Sequence, residues 1–211
     1  MYGNAVDRAL TEYFDRLAAG MKGSRENLVE LFEQFITHQP LQAADLQTAL
    51  ARGRKALEGY YNAYSASWKD NVINQMRIPA VTIDDTVTLN GKIDKVELLD
   101  ASDAVLVTDY KTGKPKSRAH ISGTVKDGDG NYLRQLVFYK LLLDRWQGGK
   151  YRMSKGIIDF VEPDARGKYI REEFVIAPAQ VKELEETIRR VAREILSLAF
   201  WNTRCTDRDC P

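Results

Sequence analysis

Gly91-Lys92-Ile93-Asp94-Lys95, followed by Val105-Leu106-Val107-Thr108-Asp109-Tyr110-Lys111-Thr112-Gly113, is the stretch that decides the fold. Residues two apart in a strand share a face, so Asp109 and Lys111 point the same way. Ala104 to Val107 is apolar and β-branched enough to be a buried strand. Asp109 closes that apolar run, and Thr112-Gly113 breaks the strand after the lysine. A carboxylate and an ammonium at the end of a buried strand both need partners, because unpaired buried charge is costly. Gly91 leaves room for close approach of another backbone or a ligand. If Asp94 joins from the neighbouring strand, two carboxylates converge beside one lysine, an arrangement suited to a divalent cation and a phosphodiester. The residues alone leave a second reading open, in which Asp94 ends a strand at a turn and Asp109 and Lys111 form a surface ion pair.

Working outward, strands are predicted over about 72–83, 86–98 and 103–111, with turns at Asp84-Asp85 and Asp100-Ala101-Ser102-Asp103. Before them the chain reads as three helices. Val6, Leu10, Phe14 and Leu17 form one stripe, ended near Gly20; Ser24 is the N-cap of a second helix with Leu28, Leu31, Phe32, Phe35 and Ile36. Pro40 precedes a third, long helix carrying Leu46, Leu50, Leu57, Tyr60, Tyr61 and Tyr64, with Arg52, Arg54 and Lys55 on its exposed side. A polar loop over about 112–130 leads into a buried helix over about 131–146. Strands near 152–161 and 169–176 follow, then a helix over about 178–199 with the stripe Val181, Leu184, Ile188, Val191 and Ile195. The order ααα-βββ-α-ββ-α predicts an α/β fold: one mixed sheet of about five strands flanked by helices, with an N-terminal helical section. A single domain is expected over 1–211, with the helical section at 1–70, the α/β core at 71–200 and a tail at 201–211.

Composition sets the bounds. Apolar content of 44% and charged content of 29% are ordinary for a globular protein. The net charge of +1 carries no global sign, so any basic footprint must be local. No apolar run approaches bilayer length and the first residues lack the regions of a secretory signal, so no membrane partner is expected. Two cysteines near the end make no disulfide framework, and a cytoplasmic location is the expectation. Asp127-Gly128-Asp129-Gly130-Asn131 imitates a calcium loop but has Tyr132 where glycine is needed and Phe138 where glutamate is needed; it reads as a turn that caps the next helix through Asn131.

Gly91-Lys92-Ile93-Asp94-Lys95, Thr108-Asp109-Tyr110-Lys111-Thr112-Gly113 and Gln135-x-x-x-Tyr139, in that order, resemble the PD-(D/E)XK nucleases. More narrowly, they resemble the RecB-type nuclease domain found at the C-terminus of superfamily I DNA helicases. The resemblance covers about residues 3–145 and extends compatibly over the whole chain. It implies a restriction-endonuclease-like core and a metal-dependent nuclease using Mg²⁺ or Mn²⁺. Asp94, Asp109 and the Tyr110 backbone carbonyl would hold the metal, and Lys111 would orient or activate the attacking water. Gln135 and Tyr139, one helical turn apart, would support the site and contact nucleic acid. Family members often carry Gly-x-x-x-His in the first helix; this chain has Gly3-Asn4-Ala5-Val6-Asp7, so Asp7 stands where the histidine would ligate. A carboxylate suits Mg²⁺ at least as well as imidazole. As a residue near a helix N-terminus, Asp7 also has a plain electrostatic reading.

Lys114, Lys116, Arg118 and His120, with Lys126 further on, form the local basic stretch expected to attract DNA phosphates. Tyr110, Tyr132 and Trp146 could stack bases, although core packing is the commoner fate of such residues. Cys205 and Cys210 cannot complete a four-sulfur site, so no iron–sulfur cluster is expected. The abrupt start and the terminal Cys-Pro read as cuts in a longer helicase–nuclease chain. The expected activity is hydrolysis of DNA, as an exonuclease on single-stranded ends beside a helicase in repair or recombination. The alternative is an inert nuclease-like module that binds DNA or a partner; a third is a Mg²⁺ enzyme acting on RNA or another phosphoester.

Overall fold

The computed structural model describes residues 1–99, 103–199 and 201. Part of the expected 100–103 turn, both cysteines and all of the tail except Trp201 lie outside the described residues. The chain forms helices α1 (Tyr2–Ala18), α2 (Arg25–Thr37) and α3 (Ala43–Tyr64), then strands β1 (Val72–Asp84), β2 (Val87–Leu98) and β3 (Ala104–Lys111). These are followed by α4 (Arg118–Ser122), α5 (Asn131–Arg145), β4 (Arg152–Phe160), β5 (Arg171–Phe174) and α6 (Pro178–Leu196). The five strands make one sheet in the order β1-β2-β3-β4-β5. All pairings are antiparallel except β3 with β4, which run parallel because α4 and α5 carry the chain back across the sheet. The predicted α/β class, with a mixed five-stranded sheet and an N-terminal helical section, is what the chain adopts. Among the described residues no helix is long and apolar enough to cross a membrane.

Two cores explain why both faces of the sheet are apolar. On one face, Ile93, Val96, Val105, Val107, Ile158 and Phe160 pack against Leu136, Val137, Leu142 and Leu143 of α5. On the other, the three N-terminal helices contribute Leu10, Phe14, Leu28, Phe32, Ile36, Leu57 and Tyr60. Each fully buried side chain of this size is worth roughly 1.5–3 kcal/mol over leaving it in water. β3 is covered on both sides, as its unbroken apolar run requires: Val105 and Val107 belong to the α5 core, and Tyr110 packs on the helical layer. Gly91 is where α5 comes closest to the hairpin, since a Cβ there would collide with Leu142.

Ser24 caps α2 as expected: its hydroxyl accepts from Asn27 N at 3.2 Å, and Asn27 Oδ1 accepts from Ser24 N at 3.1 Å. Such a cap contributes about 1 kcal/mol. Four expectations need correction. The polar loop over 112–130 contains α4, a single turn and a half started by Ser117, whose Oγ accepts from His120 N; five residues are too few to display a stripe. Asn131 does not cap α5; it is its first residue, and Asp129 Oδ1 accepts its N–H at 3.0 Å. The strand expected over 169–176 shortens to Arg171–Phe174, and α6 stops at Leu196. Asp94 lies inside β2 and Asp109 two residues before the end of β3, so neither acid terminates a strand.

Candidate active site

The β2–β3 ladder sets up the site by ending early. Its final pair is Lys95 with Thr108, and one further step would put Asp94 opposite Asp109. At that step the two strands part, and Tyr110 N donates to the Asp94 side chain (Oδ2, 3.0 Å) in place of a backbone carbonyl. Asp109 shares its strand face with Val107 and takes the Tyr139 hydroxyl of α5, so it faces α5. Asp94, held by the Tyr110 N–H, brings a second carboxylate to the mouth of a fork between the strands.

Four side chains close a ring there. Lys111 Nζ lies 2.6 Å from Asp109 Oδ2 and donates to Gln135 Oε1 at 2.7 Å. Gln135 Nε2 donates to the Tyr139 hydroxyl at 2.7 Å, and that hydroxyl donates to Asp109 Oδ1 at 2.9 Å. Gln135 and Tyr139 can both reach because they stand four residues apart on α5. The proton inventory fixes every direction: an ammonium that only donates, an amide that accepts and donates, a hydroxyl that does the same, and a carboxylate that only accepts. Burial and the nearby Asp109 charge push the Tyr139 pKa up, so its hydroxyl stays a donor. Asp109 Oδ2 is buried and receives no hydrogen bond, its one close contact being the Lys111 ion pair.

Asp7 approaches from α1. Gly3 makes this possible, since a Cβ there would press on Thr112 just beyond β3. Gln75 Nε2 holds Asp7 Oδ1 at 3.0 Å from β1; Gln75 has a left-handed φ of 49°, a strained choice for this residue. Burial raises the Asp7 pKa, Lys92 and Gln75 lower it, and the Asp109 charge raises it. Asp94 is shifted further, to about 6, first by burial and then by the Asp109 charge, with the Tyr110 N–H opposing and Asp7 adding to it. Asp109 is raised by burial and lowered by Lys111 and Tyr139. The three acids thus sit within one another's fields. Among the described residues no three His, Cys, Asp or Glu side chains are already drawn together as a metal cage. The donor set is nevertheless the right kind: hard carboxylate oxygens, one of them buried without a hydrogen bond, and mutual repulsion that a divalent cation would relieve.

The sign of the Asp94 shift gives a first prediction. A folded pKa of about 6 against the ordinary aspartate value of 3.8 means the folded protein holds the proton longer than the unfolded chain. Metal-free protein should therefore lose stability as pH rises from about 4 to about 6, by on the order of 2 kcal/mol. Asp94→Asn should remove that part of the slope and raise the melting temperature at pH 7, as read from thermal melts in EDTA between pH 4 and 8.

The basic stretch after Lys111 divides. Lys114 is exposed, and Lys116 Nζ sits 4.6 Å from the centre of the Tyr132 ring, whose ring Lys111 Nζ also approaches to 4.6 Å. Arg118 is already engaged: it pairs with Glu172, donates to the Glu173 carbonyl and covers the Phe174 ring. That engagement ties it to β5 and takes it out of the free basic footprint. Tyr110 is half-buried, its hydroxyl enclosed and its ring packed on the helical layer, and Trp146 stacks on Tyr151.

Sequence reasoning missed the other side of β3. There Asp159, fully buried on β4, receives the Tyr60 hydroxyl at 2.7 Å and the Arg171 guanidinium at 2.6 Å. Lys95 is buried beside them over the Phe14 and Tyr110 rings, and burial lowers its pKa to about 8. The signal was present in Gly156-Ile157-Ile158-Asp159-Phe160-Val161, where one charge interrupts an apolar strand.

Comparison with known proteins points to a family. Among curated proteins no significant match is found. Of the solved structures, the crystal structure of SSO0001 aligns at 14% sequence identity over 97% of this chain and 77% of that one, with a TM-score of 0.41. The model of the PD-(D/E)XK nuclease superfamily matches residues 1–211. With two acids from adjacent strands, a lysine two residues after the second, and a family match that spans its full length, this chain belongs to the PD-(D/E)XK nuclease superfamily.

Proposed function

We propose that the protein is a metal-dependent DNA nuclease that hydrolyses phosphodiester bonds at the fork between β2 and β3. The observation that carries this reading is the ring of Lys111, Gln135, Tyr139 and Asp109 beside Asp94. Asp94, Asp109, Asp7 and the Tyr110 carbonyl would hold Mg²⁺ or Mn²⁺. When bound, the ion supplies a water of lowered pKa and positive charge for the phosphoryl oxygens. Lys111 places a compact positive charge, poised by two fixed contacts, where negative charge grows on the reacting phosphate. Gln135 and Tyr139 keep that ammonium and the Asp109 carboxylate in one orientation, so little reorganisation is needed during reaction. Lys114 and Lys116 extend the positive surface along which a phosphate backbone runs.

The finer assignment rests on the motif resemblance alone: an exonuclease on single-stranded ends, a single domain of a longer helicase–nuclease chain, acting in the cytoplasm in repair or recombination. The test is cleavage of an end-labelled single-stranded oligonucleotide with Mg²⁺ or Mn²⁺ and with EDTA, run beside Mn²⁺ calorimetry. Expected are cleavage abolished by EDTA and Mn²⁺ binding lost in Asp94→Asn. A second reading, an inert DNA-binding module, is favoured by Asp7 in the histidine position and by the absence of a ready-made cage among the described residues. DNA binding with no cleavage and no carboxylate-dependent Mn²⁺ binding would select it.

A further inference from the structure

The β1–β2 hairpin carries two charges that its own structure does not use. Arg77 and Lys92 are register partners. Antiparallel partners project from the same face with Cα atoms about 4.5–5.5 Å apart, and like charges so placed weaken the pairing. Both side chains are exposed, and among the described residues neither makes an ion pair or a hydrogen bond. Two exposed cations side by side, with no ion pair or hydrogen bond of their own among the described residues, leave room for an anion from outside.

The doublet borders the acid cluster. Lys92 is the strongest influence opposing burial at Asp7, and Asp7 in turn feels Asp109 and acts on Asp94. Lys111 flanks the same acids from the α5 side. Lys92, two residues before Asp94 on β2, and Lys111 thus both stand close to the acids, as a path for a polyanion requires. The backbone around Arg77 is held in an unusual form: Gln75 and Ala80 have φ of 49° and 53°, and the pairing shifts between Ile78 and Val81. Left-handed non-glycine residues cost energy and cluster at functional sites. Here one of them carries the amide that holds Asp7, and Asn90 Oδ1 supports the other at Ala80 N.

We propose that Arg77 and Lys92 form a clamp for a backbone phosphate of the DNA strand, next to the bond that is cut. The clamp rests on the nuclease reading but is tested apart from chemistry. The measurement is fluorescence anisotropy of a labelled single-stranded oligonucleotide with the full chain in EDTA, over a range of salt. The Arg77→Ala, Lys92→Ala double variant should bind about 10-fold more weakly. Its slope of log affinity against log salt should fall by about 0.7, the value for one phosphate on a single strand. Arg77→Lys should keep most of the slope, and Lys182→Ala, an exposed cation on α6, should keep all of it. Relief of repulsion should leave the double variant's melting temperature unchanged or raised, which excludes misfolding as the cause. Unchanged affinity and slope in the double variant, or no salt-dependent affinity in the parent, would overturn the clamp. Cleavage in Mg²⁺, measured separately, decides the nuclease reading.

Discussion

Under the proposed nuclease reading, Lys111→Ala is expected to lower the rate of DNA hydrolysis by roughly 10²–10⁴-fold, the range seen when a positioned proton-transfer or charge-stabilising group is removed. The expectation follows from how fully the side chain is fixed. Its ammonium is held between Asp109 at 2.6 Å and Gln135 at 2.7 Å, above the face of Tyr132. Alanine removes the charge and also the sole close contact of Asp109 Oδ2. The carboxylate then loses the neighbour that most lowers its pKa against burial, so Asp109 becomes harder to ionise. The loss should therefore be partly recovered as pH is raised, which simple removal of a phosphate contact would not produce. Lys111→Arg should remain impaired, since a planar fork cannot reproduce a point charge inside this ring. Steady-state cleavage from pH 6 to 9 with Mg²⁺ checks all three statements. A variant as active as the parent would remove Lys111 from the site.

Arg171→Met destabilises the fold by about 3–5 kcal/mol, because it strands a buried carboxylate. Asp159 is wholly enclosed, and its Oδ2 takes both the Arg171 guanidinium and the Tyr60 hydroxyl. Its other oxygen, Oδ1, is buried with no hydrogen bond, and Lys95 nearby makes no hydrogen bond to it, so the carboxylate loses its only guanidinium partner. For a chain of this size each kcal/mol moves the melting temperature by about 2–4 °C, so a fall of roughly 10 °C is expected. The network joins α3, β4 and β5, and so fastens the N-terminal helices to the sheet. Urea unfolding read by circular dichroism tests it. A change under about 1 kcal/mol would mean that water reaches Asp159 in the native protein.

The architecture was legible because its signals were periodic. The stripes Val6-Leu10-Phe14 and Leu28-Phe32-Ile36 name the buried faces of α1 and α2, and Ser24 marks a start that the chain uses. The apolar run before Asp109 foretold a strand covered on both sides. The pairing of Gln135 with Tyr139 was readable from spacing alone, whereas the ring they complete needed the crossing of α5 over β3. What stayed hidden were interactions between residues far apart in sequence with no periodic mark. The Gln75 amide reaches Asp7 from a strained backbone, which sequence does not display. Arg118 looked like part of a basic footprint because its partners, Glu172 and Glu173, lie more than fifty residues away. α4 was invisible for want of length.

β3 has no harmless frame-shift. Asp109 and Lys111 face the candidate site and Tyr110 faces the aromatic layer, so sliding the strand by a single position would exchange them. A tyrosine would then stand where the proposed metal ligands meet and a carboxylate would be forced among Phe14, Tyr60 and Trp68. Chemistry on one side and cohesion on the other thus proofread the same eight residues, and a misaligned strand forfeits both together.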